Sequence, residues 1–212
     1  MALLNHHKLI FVHHLGLQKT FSNFLVKILD LIKNSEQIIK FEEDAYSIDT
    51  NEGFEFDTTV IRFSYSSMKT PRQVFDYNLA TGKRFLKKEQ KIPSGHNAKN
   101  YITRRTFAPA DDGELIPVSL LYRKDTMLNG TAPCLLYGYG SYGISIPPGF
   151  NSNAMSLVDR GFVYAIAHVR GGKEKGYRWY KEGRREHKTN TFKDFIAVAD
   201  HLAAENYTSY SQ

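Results

Sequence analysis

The run Leu135-Leu136-Tyr137-Gly138-Tyr139-Gly140-Ser141-Tyr142-Gly143 constrains this chain more than any other stretch. Its apolar start, after Pro133 and Cys134, predicts a buried strand. Its Gly/Tyr-rich continuation predicts a loop at that strand's carboxyl end, where α/β enzymes bind substrate. No Gly-x-Ser-x-Gly nucleophile elbow follows it, and none occurs in the 212 residues. The run reads as one half of an active site.

The surrounding pattern supports an α/β arrangement. Residues 101–106 and 116–123 read as a strand pair, with Asp111-Asp112-Gly113 as the turn. Residues 132–138 follow as a strand and residues 150–159 as a helix closed by Gly161. Phe162-Val163-Tyr164-Ala165-Ile166-Ala167-His168-Val169 is nearly all apolar, as inside a parallel sheet. Thr191 is expected to cap a last helix, with Asp194 in a capping-box-like position. Phe192, Phe195, Ile196, Ala199, Leu202 and Ala203 are expected to form its apolar stripe.

The first half differs. From Tyr46 to Leu86 short strands recur with polar turns: Phe54-Glu55-Phe56, residues 60–65, residues 73–77 and Arg84-Phe85-Leu86. Gly82 supplies the turn after Tyr77. This spacing predicts a meander like one propeller blade. Residues 9–12 look like a short strand and residues 38–41 like a strand end. Phe21, Phe24, Leu25, Ile28, Leu29 and Ile32 recur at helical spacing, which conflicts with propeller strands.

Composition narrows the function classes. Thirteen Tyr and 14 Phe suit strand-rich structure. The single cysteine, Cys134, excludes an intrachain disulfide and reads as a buried structural thiol. No apolar run approaches the ~18 residues of a membrane span, so no membrane partner is expected. No basic region precedes a long apolar run at the N-terminus, so no signal peptide is expected and the cytoplasm is the expected compartment. The net charge of +6 is concentrated in residues 170–188, with eight Lys/Arg against three Glu. Interleaved Tyr177, Trp179 and Tyr180 allow a single-strand nucleic-acid reading. No nucleic-acid motif frames them, so a solvated or acid-paired surface is preferred and no nucleic-acid partner is expected.

Several segments resemble, in order, the prolyl oligopeptidase family of serine peptidases. They are Leu136-Tyr137-Gly138-Tyr139-Gly140-Ser141-Tyr142-Gly143, Arg160-Gly161-Phe162-Val163-Tyr164-Ala165, His168-Val169-Arg170-Gly171-Gly172, Trp179-Tyr180-x-x-Gly183 and Asn190-Thr191-Phe192-x-Asp194-Phe195. Tyr65-Ser66-Ser67-Met68-x-Thr70-Pro71 and Asp112-Gly113-x-x-Ile116-Pro117-Val118-Ser119-Leu120 are similar to the oligopeptidase B (protease II) branch. Lys173-Glu174-Lys175-Gly176 departs from the family's usual Gly-Gly-Glu-x-Gly. The resemblance implies the N-terminal part of a three-layer α/β-hydrolase domain, preceded by the last strands of a β-propeller. The implied division is a partial propeller over 1–87, least clear over 1–40, a linker over 88–100 and the hydrolase part over 101–212.

The resemblance also implies a cytosolic peptidase of short peptides that cleaves after Arg and Lys, with no cofactor and no metal. The family's Ser, Asp and His follow the position where this chain stops at Gln212, in the order usual for α/β-hydrolases. The expectation is therefore that this chain alone does not catalyse, and that a peptide substrate is used only with a chain carrying the triad. A non-catalytic complementing subunit and a basic nucleic-acid-binding protein are the alternatives. The resemblance assigns one site residue, Tyr139, whose hydroxyl would help form an oxyanion hole.

Other candidates are weaker. Ser141 has Tyr139 rather than glycine two residues before it. His168 sits at a strand end but lacks an evident nucleophile and orienting acid. His6-His7 and His13-His14 would point to opposite faces of a strand, which disfavours a metal site. Arg170-Gly171-Gly172 reads as a structural loop.

Overall fold

The computed structural model describes residues 2–5, 8–14, 24–30, 32–51 and 58–212. They form three four-stranded sheets and three α-helices. The first two sheets are antiparallel meanders. One contains β1 (Ala2–Asn5), β2 (Lys8–His14), β3 (Phe24–Asp30) and β4 (Ser35–Ile39). The other contains β5 (Tyr46–Asn51), β6 (Val60–Ser67), β7 (Gln73–Asn78) and β8 (Arg84–Glu89).

The helical spacing read over residues 21–32 is corrected: the chain is a strand, β3, over Phe24–Asp30. Its run is apolar at nearly every position, so periods of 3.6 and 2 both fit it. Long-range pairing decides. Val26 and Ile28 turn into the core, and Lys27 pairs with Glu36 on β4 at 2.7 Å. Asp30 Oδ1 accepts the N–H groups of Ile32 (3.2 Å) and Lys33 (3.0 Å), and Asn34 takes φ +47°, which closes a hairpin. The expected strand at Phe54-Glu55-Phe56 lies outside the described residues.

Strand alternation builds the next core. Ile61, Phe63 and Tyr65 of β6 point inward, while Arg62 pairs outward with Asp76. The inward set packs with Val26, Ile28 and Ile39, so the two meanders share one apolar layer. Asn78 Oδ1 and Gly82 (φ +68°) form the β7–β8 turn. The fully exposed β8 is charged at Arg84, Lys87, Lys88 and Glu89, a pattern that discourages edge-to-edge association.

The third sheet has the order β11-β12-β10-β9. β9 (Tyr101–Pro109) and β10 (Leu115–Arg123) form a hairpin whose turn contains Gly113 at φ +81°. β12 (Val163–Ala167) runs antiparallel to β10 and parallel to β11 (Cys134–Gly138). Helix α1 (Ser152–Val158) covers one face, capped by Asn151. Helix α3 (Thr189–Ala204) covers the other, and short α2 (Tyr177–Lys181) buries Trp179 beside it. The result is helix, sheet, helix, following a pair of propeller-like meanders.

Two expectations for this region are corrected. β11 is not a buried strand: Leu135 and Tyr137 are 41% and 44% exposed, because among the described residues only β12 pairs with it. The buried stripe of α3 is Thr191, Asp194, Val198 and Leu202, whereas Phe192 and Ile196 face outward.

The meanders and the third sheet are joined by side chains. Met68, after β6, is buried in the α1-side core with Tyr101, Met155 and Tyr164. Glu43 accepts from Thr70 (2.7 Å) and Tyr65 (3.0 Å), and through its other oxygen from Thr103 on β9 (3.0 Å).

Candidate active site

The loop after β11 is built on backbone positions that exclude side chains. A Cβ at Gly138 would meet the Phe195 ring. Gly140, at φ +65°, has Thr191, Val169 and the Arg170 carbonyl pressed against it. A Cβ at Gly171 would fall on the Gly140 carbonyl, so the β11 and β12 exit loops touch through glycine backbone. The Gly143 N–H donates to the Gly171 carbonyl at 2.9 Å, and the Ile144 N–H to the Ser141 carbonyl at 3.0 Å. From this braced loop Tyr139 projects with 42% exposure.

Lys188, just before α3, reaches into the loop. Its Nζ donates to the Gly140 carbonyl (2.5 Å), Ser141 Oγ (2.9 Å) and Thr191 Oγ1 (3.2 Å). A Ser–Lys pair suggests a nucleophile and its base. Three acceptors, however, occupy all three protons of an ammonium, leaving no lone pair to take a proton from Ser141. Burial lowers the Lys188 pKa from its ordinary value. The contacts describe a clamp.

Thr191 and Asp194 do not cap α3. Among the described residues no side chain caps that helix. Thr191 Oγ1 donates to the Arg170 carbonyl at 2.8 Å. Asp194, fully buried, accepts the Arg170 N–H at 2.9 Å and its guanidinium at 2.5 Å. Arg170 also reaches Asp112 in the β9–β10 turn at 2.5 Å. These side chains turn away from the helix amides because a buried guanidinium and the exit-loop carbonyls need partners. The two carboxylates respond oppositely. Burial raises the Asp194 pKa against the pull of Arg170. The Arg170 hydrogen bond lowers that of the half-exposed Asp112. Arg170-Gly171-Gly172 is thus a structural junction.

Three of the eight cations of the basic segment, Arg170, Lys175 and Arg178, are acid-paired. Lys175 bonds Glu114 at 2.8 Å and lies 4.3 Å from the centre of the Trp179 ring. Arg178 pairs with Glu114 and Glu182, each at 2.8 Å.

His168 has neighbours that sequence spacing did not suggest. Its Nε2 is 2.7 Å from Ser119 Oγ on β10, and its Nδ1 is 3.7 Å from Glu174 Oε1. The connectivity resembles nucleophile, base and acid. Yet Ser119, His168 and Glu174 are 0%, 2% and 4% exposed, so substrate has no route to the hydroxyl. The acid contact exceeds hydrogen-bond length. Glu174 instead accepts the Ile146 N–H at 3.0 Å, and the His168 carbonyl accepts the Trp179 indole N–H at 3.0 Å. This is an internal brace.

Cys134 is half-buried at the head of β11, and burial pushes its thiol up to about 11, which disfavours the thiolate a nucleophile needs. Among the described residues no group of three His, Cys, Asp or Glu side chains is arranged to hold a metal. His13 and His14 lie on β2, and His6 and His7 lie outside the described residues. No helix among the described residues is long and apolar enough to cross a membrane.

Comparison with known proteins accounts for both halves. A family profile described as "Prolyl oligopeptidase, N-terminal beta-propeller domain" matches residues 18–90, and one described as "Prolyl oligopeptidase family" matches 148–212. Dipeptidyl aminopeptidase BI of Pseudoxanthomonas mexicana is 47% identical over 82% of this chain and 24% of its own length. Protease 2 of Moraxella lacunata is 34% identical over 88% of this chain and 27% of its own. The structure of oligopeptidase B from Leishmania major superposes with a TM-score of 0.87 at 32% identity, covering 100% of this chain and 30% of that one. The chain therefore spans about a quarter of the length of these curated relatives. With the order of meanders, hydrolase sheet and exit loops matched on both counts, the chain belongs to the prolyl oligopeptidase family.

Proposed function

We propose that this chain supplies the oxyanion side of a serine-peptidase active site that hydrolyses short peptides after Arg or Lys. The observation that carries the reading is the exposed Tyr139 on a braced loop at the carboxyl end of β11. A tetrahedral intermediate places negative charge on the former carbonyl oxygen. A held phenol donor stabilises it by about 3–4 kcal/mol, by analogy with loss of a comparable donor. The 212 residues hold no Gly-x-Ser-x-Gly elbow, and the Ser–His–Glu cluster they do hold is sealed. Nucleophile, base and acid must then come from polypeptide beyond these residues.

The open edge of β11 supports a complementing role. A groove of 640 Å³ beside it runs against α1, lined by Leu135, Tyr137, Phe150 and Leu157. Another of 220 Å³ lies against α3, lined by Cys134, Leu136, Ala199 and Leu202. A strand with one open edge and a groove on each face suits a further strand and its helices.

The test is hydrolysis of an N-terminally blocked Arg–amide peptide. The purified chain should be inactive, and co-expression with a chain carrying the family's Ser, Asp and His should restore activity. Cleavage by the chain alone, abolished by a serine-directed inhibitor, would overturn the assignment. A second reading, dipeptidyl aminopeptidase activity, is favoured by the name of the relative at 47% identity. It predicts that the restored enzyme cleaves a dipeptidyl amide with a free amino terminus and spares the blocked substrate.

A further inference from the structure

Lys188 stands where helix electrostatics disfavour it. It occupies the N-cap position of the 16-residue α3, at the positive end of the helix dipole, and the first turn of α3 carries no acidic residue. A cation there needs compensation from elsewhere. The compensation is the set of three oxygens on Gly140, Ser141 and Thr191. Two of the three belong to the residues immediately after Tyr139. The third, Thr191, is itself tied to the Arg170 carbonyl.

We propose that Lys188 is the positioning residue of the Tyr139 loop: by holding the Gly140 carbonyl and Ser141 hydroxyl, its ammonium fixes the backbone from which the phenol projects. The geometry offers few substitutes. Gly140 has a left-handed φ and Gly143 another at +66°, so the loop backbone has wide conformational freedom unless it is tied. One tie is the Gly143–Gly171 hydrogen bond at its far end. Next to Tyr139, the Gly140 carbonyl is held by Lys188 at 2.5 Å and, more loosely, by Thr191 Oγ1 at 3.5 Å. Its catalytic consequence rests on Tyr139 acting as the oxyanion donor; the clamp itself does not.

The experiment therefore has two arms. In the first, amide hydrogen exchange is measured on the 212-residue chain and on Lys188→Met, which keeps the stem and removes the donors. Exchange at Gly143 and Ile144 should rise about tenfold, the scale expected for losing a charge-assisted hydrogen bond in a local opening. Exchange at His168, whose N–H pairs with the Pro117 carbonyl, should not change. Lys193→Met, an exposed lysine on the same helix, is the control and should leave the loop protected. Unchanged loop exchange in Lys188→Met overturns the proposal, and so does a rise shared equally by loop and sheet. If Lys188→Met does not fold, Lys188→Gln gives the same comparison with the charge removed and the two N–H donors of an amide kept. In the second arm, Lys188→Met in the complemented enzyme should lower kcat about tenfold with KM unchanged, whereas a change confined to KM overturns the positioning role. Failure of complementation would count against the proposed activity alone, because the exchange arm needs no catalysis.

Discussion

The Tyr139 loop and the Ser119–His168–Glu174 cluster lie at the same end of one sheet and make opposite use of polar groups. The cluster has the residue types of a hydrolytic triad, 2.7 Å apart at its serine end, and is buried. The loop has no nucleophile, yet it presents a phenol to solvent from a backbone tied by Lys188 and Gly171. Residue identity alone would choose the cluster. Access and bracing are the grounds for proposing the loop. The difference teaches that a buried polar network in an α/β protein first serves satisfaction of its own groups, and that a site is marked by donors left facing outward from a rigid frame.

The comparison breaks most severely at Arg170, which adjoins both regions. Arg170→Met strands the buried Asp194 and releases the exit loop. It should cost about 3–5 kcal/mol of stability, the usual result of removing one partner of a buried pair. Denaturant unfolding measures it, and the Arg170→Met/Asp194→Leu double variant should recover much of the loss. A loss under about 1 kcal/mol, the range of surface pairs, would show that the junction is not structural. Next in size is Tyr139→Phe in the complemented enzyme. It should lower kcat about 100- to 1000-fold with no change in unfolding midpoint. Unaltered kcat would remove the loop's claim to be the site.

Ser119→Ala sharpens the contrast from the other side. It should cost about 1–3 kcal/mol by leaving a buried imidazole nitrogen without that partner, and leave complemented activity unchanged. Loss of activity without loss of stability would instead make the cluster catalytic. The smallest effect is in pH dependence. Asp112, held below its ordinary pKa by Arg170, contributes stability that is present above about pH 4 and lost as pH falls through its folded value. Asp194, raised by burial, acts oppositely: its contribution is full below its ordinary value and declines as pH rises through the folded one. Asp112→Asn should flatten the acid limb of the stability profile, and an unchanged limb would remove Asp112 from the account.

Much of this molecule was legible in order. The alternation of Ile61, Phe63 and Tyr65, the turn at Asn78–Gly82 and the hairpin around Gly113 are local signals, set by side-chain period and by backbone freedom at glycine. The exit loops after β11 and β12 were visible for the same reason. The strand at Phe24–Asp30 was not, because an apolar run carries both periods and only its pairing with β2 and β4 separates them. Thr191 and Asp194 looked like caps because their spacing fits one, yet a residue 24 positions away claims Asp194.

By itself, then, the sequence determined the strands β6, β7, β9, β10 and β12, the helices α1 and α3, the Gly-rich turn at 138–143 and the presence of Tyr139 within it. These follow from interactions between near neighbours in the chain. Only the tertiary structure decided which face of α3 is buried, that β11 is an edge, that Ser119 meets His168 across 49 residues, and that Lys188 holds the Tyr139 loop. Those depend on buried polar groups finding partners across the fold. No local pattern encodes such a partner, because the cost of leaving a group unpaired arises only once the core has closed around it.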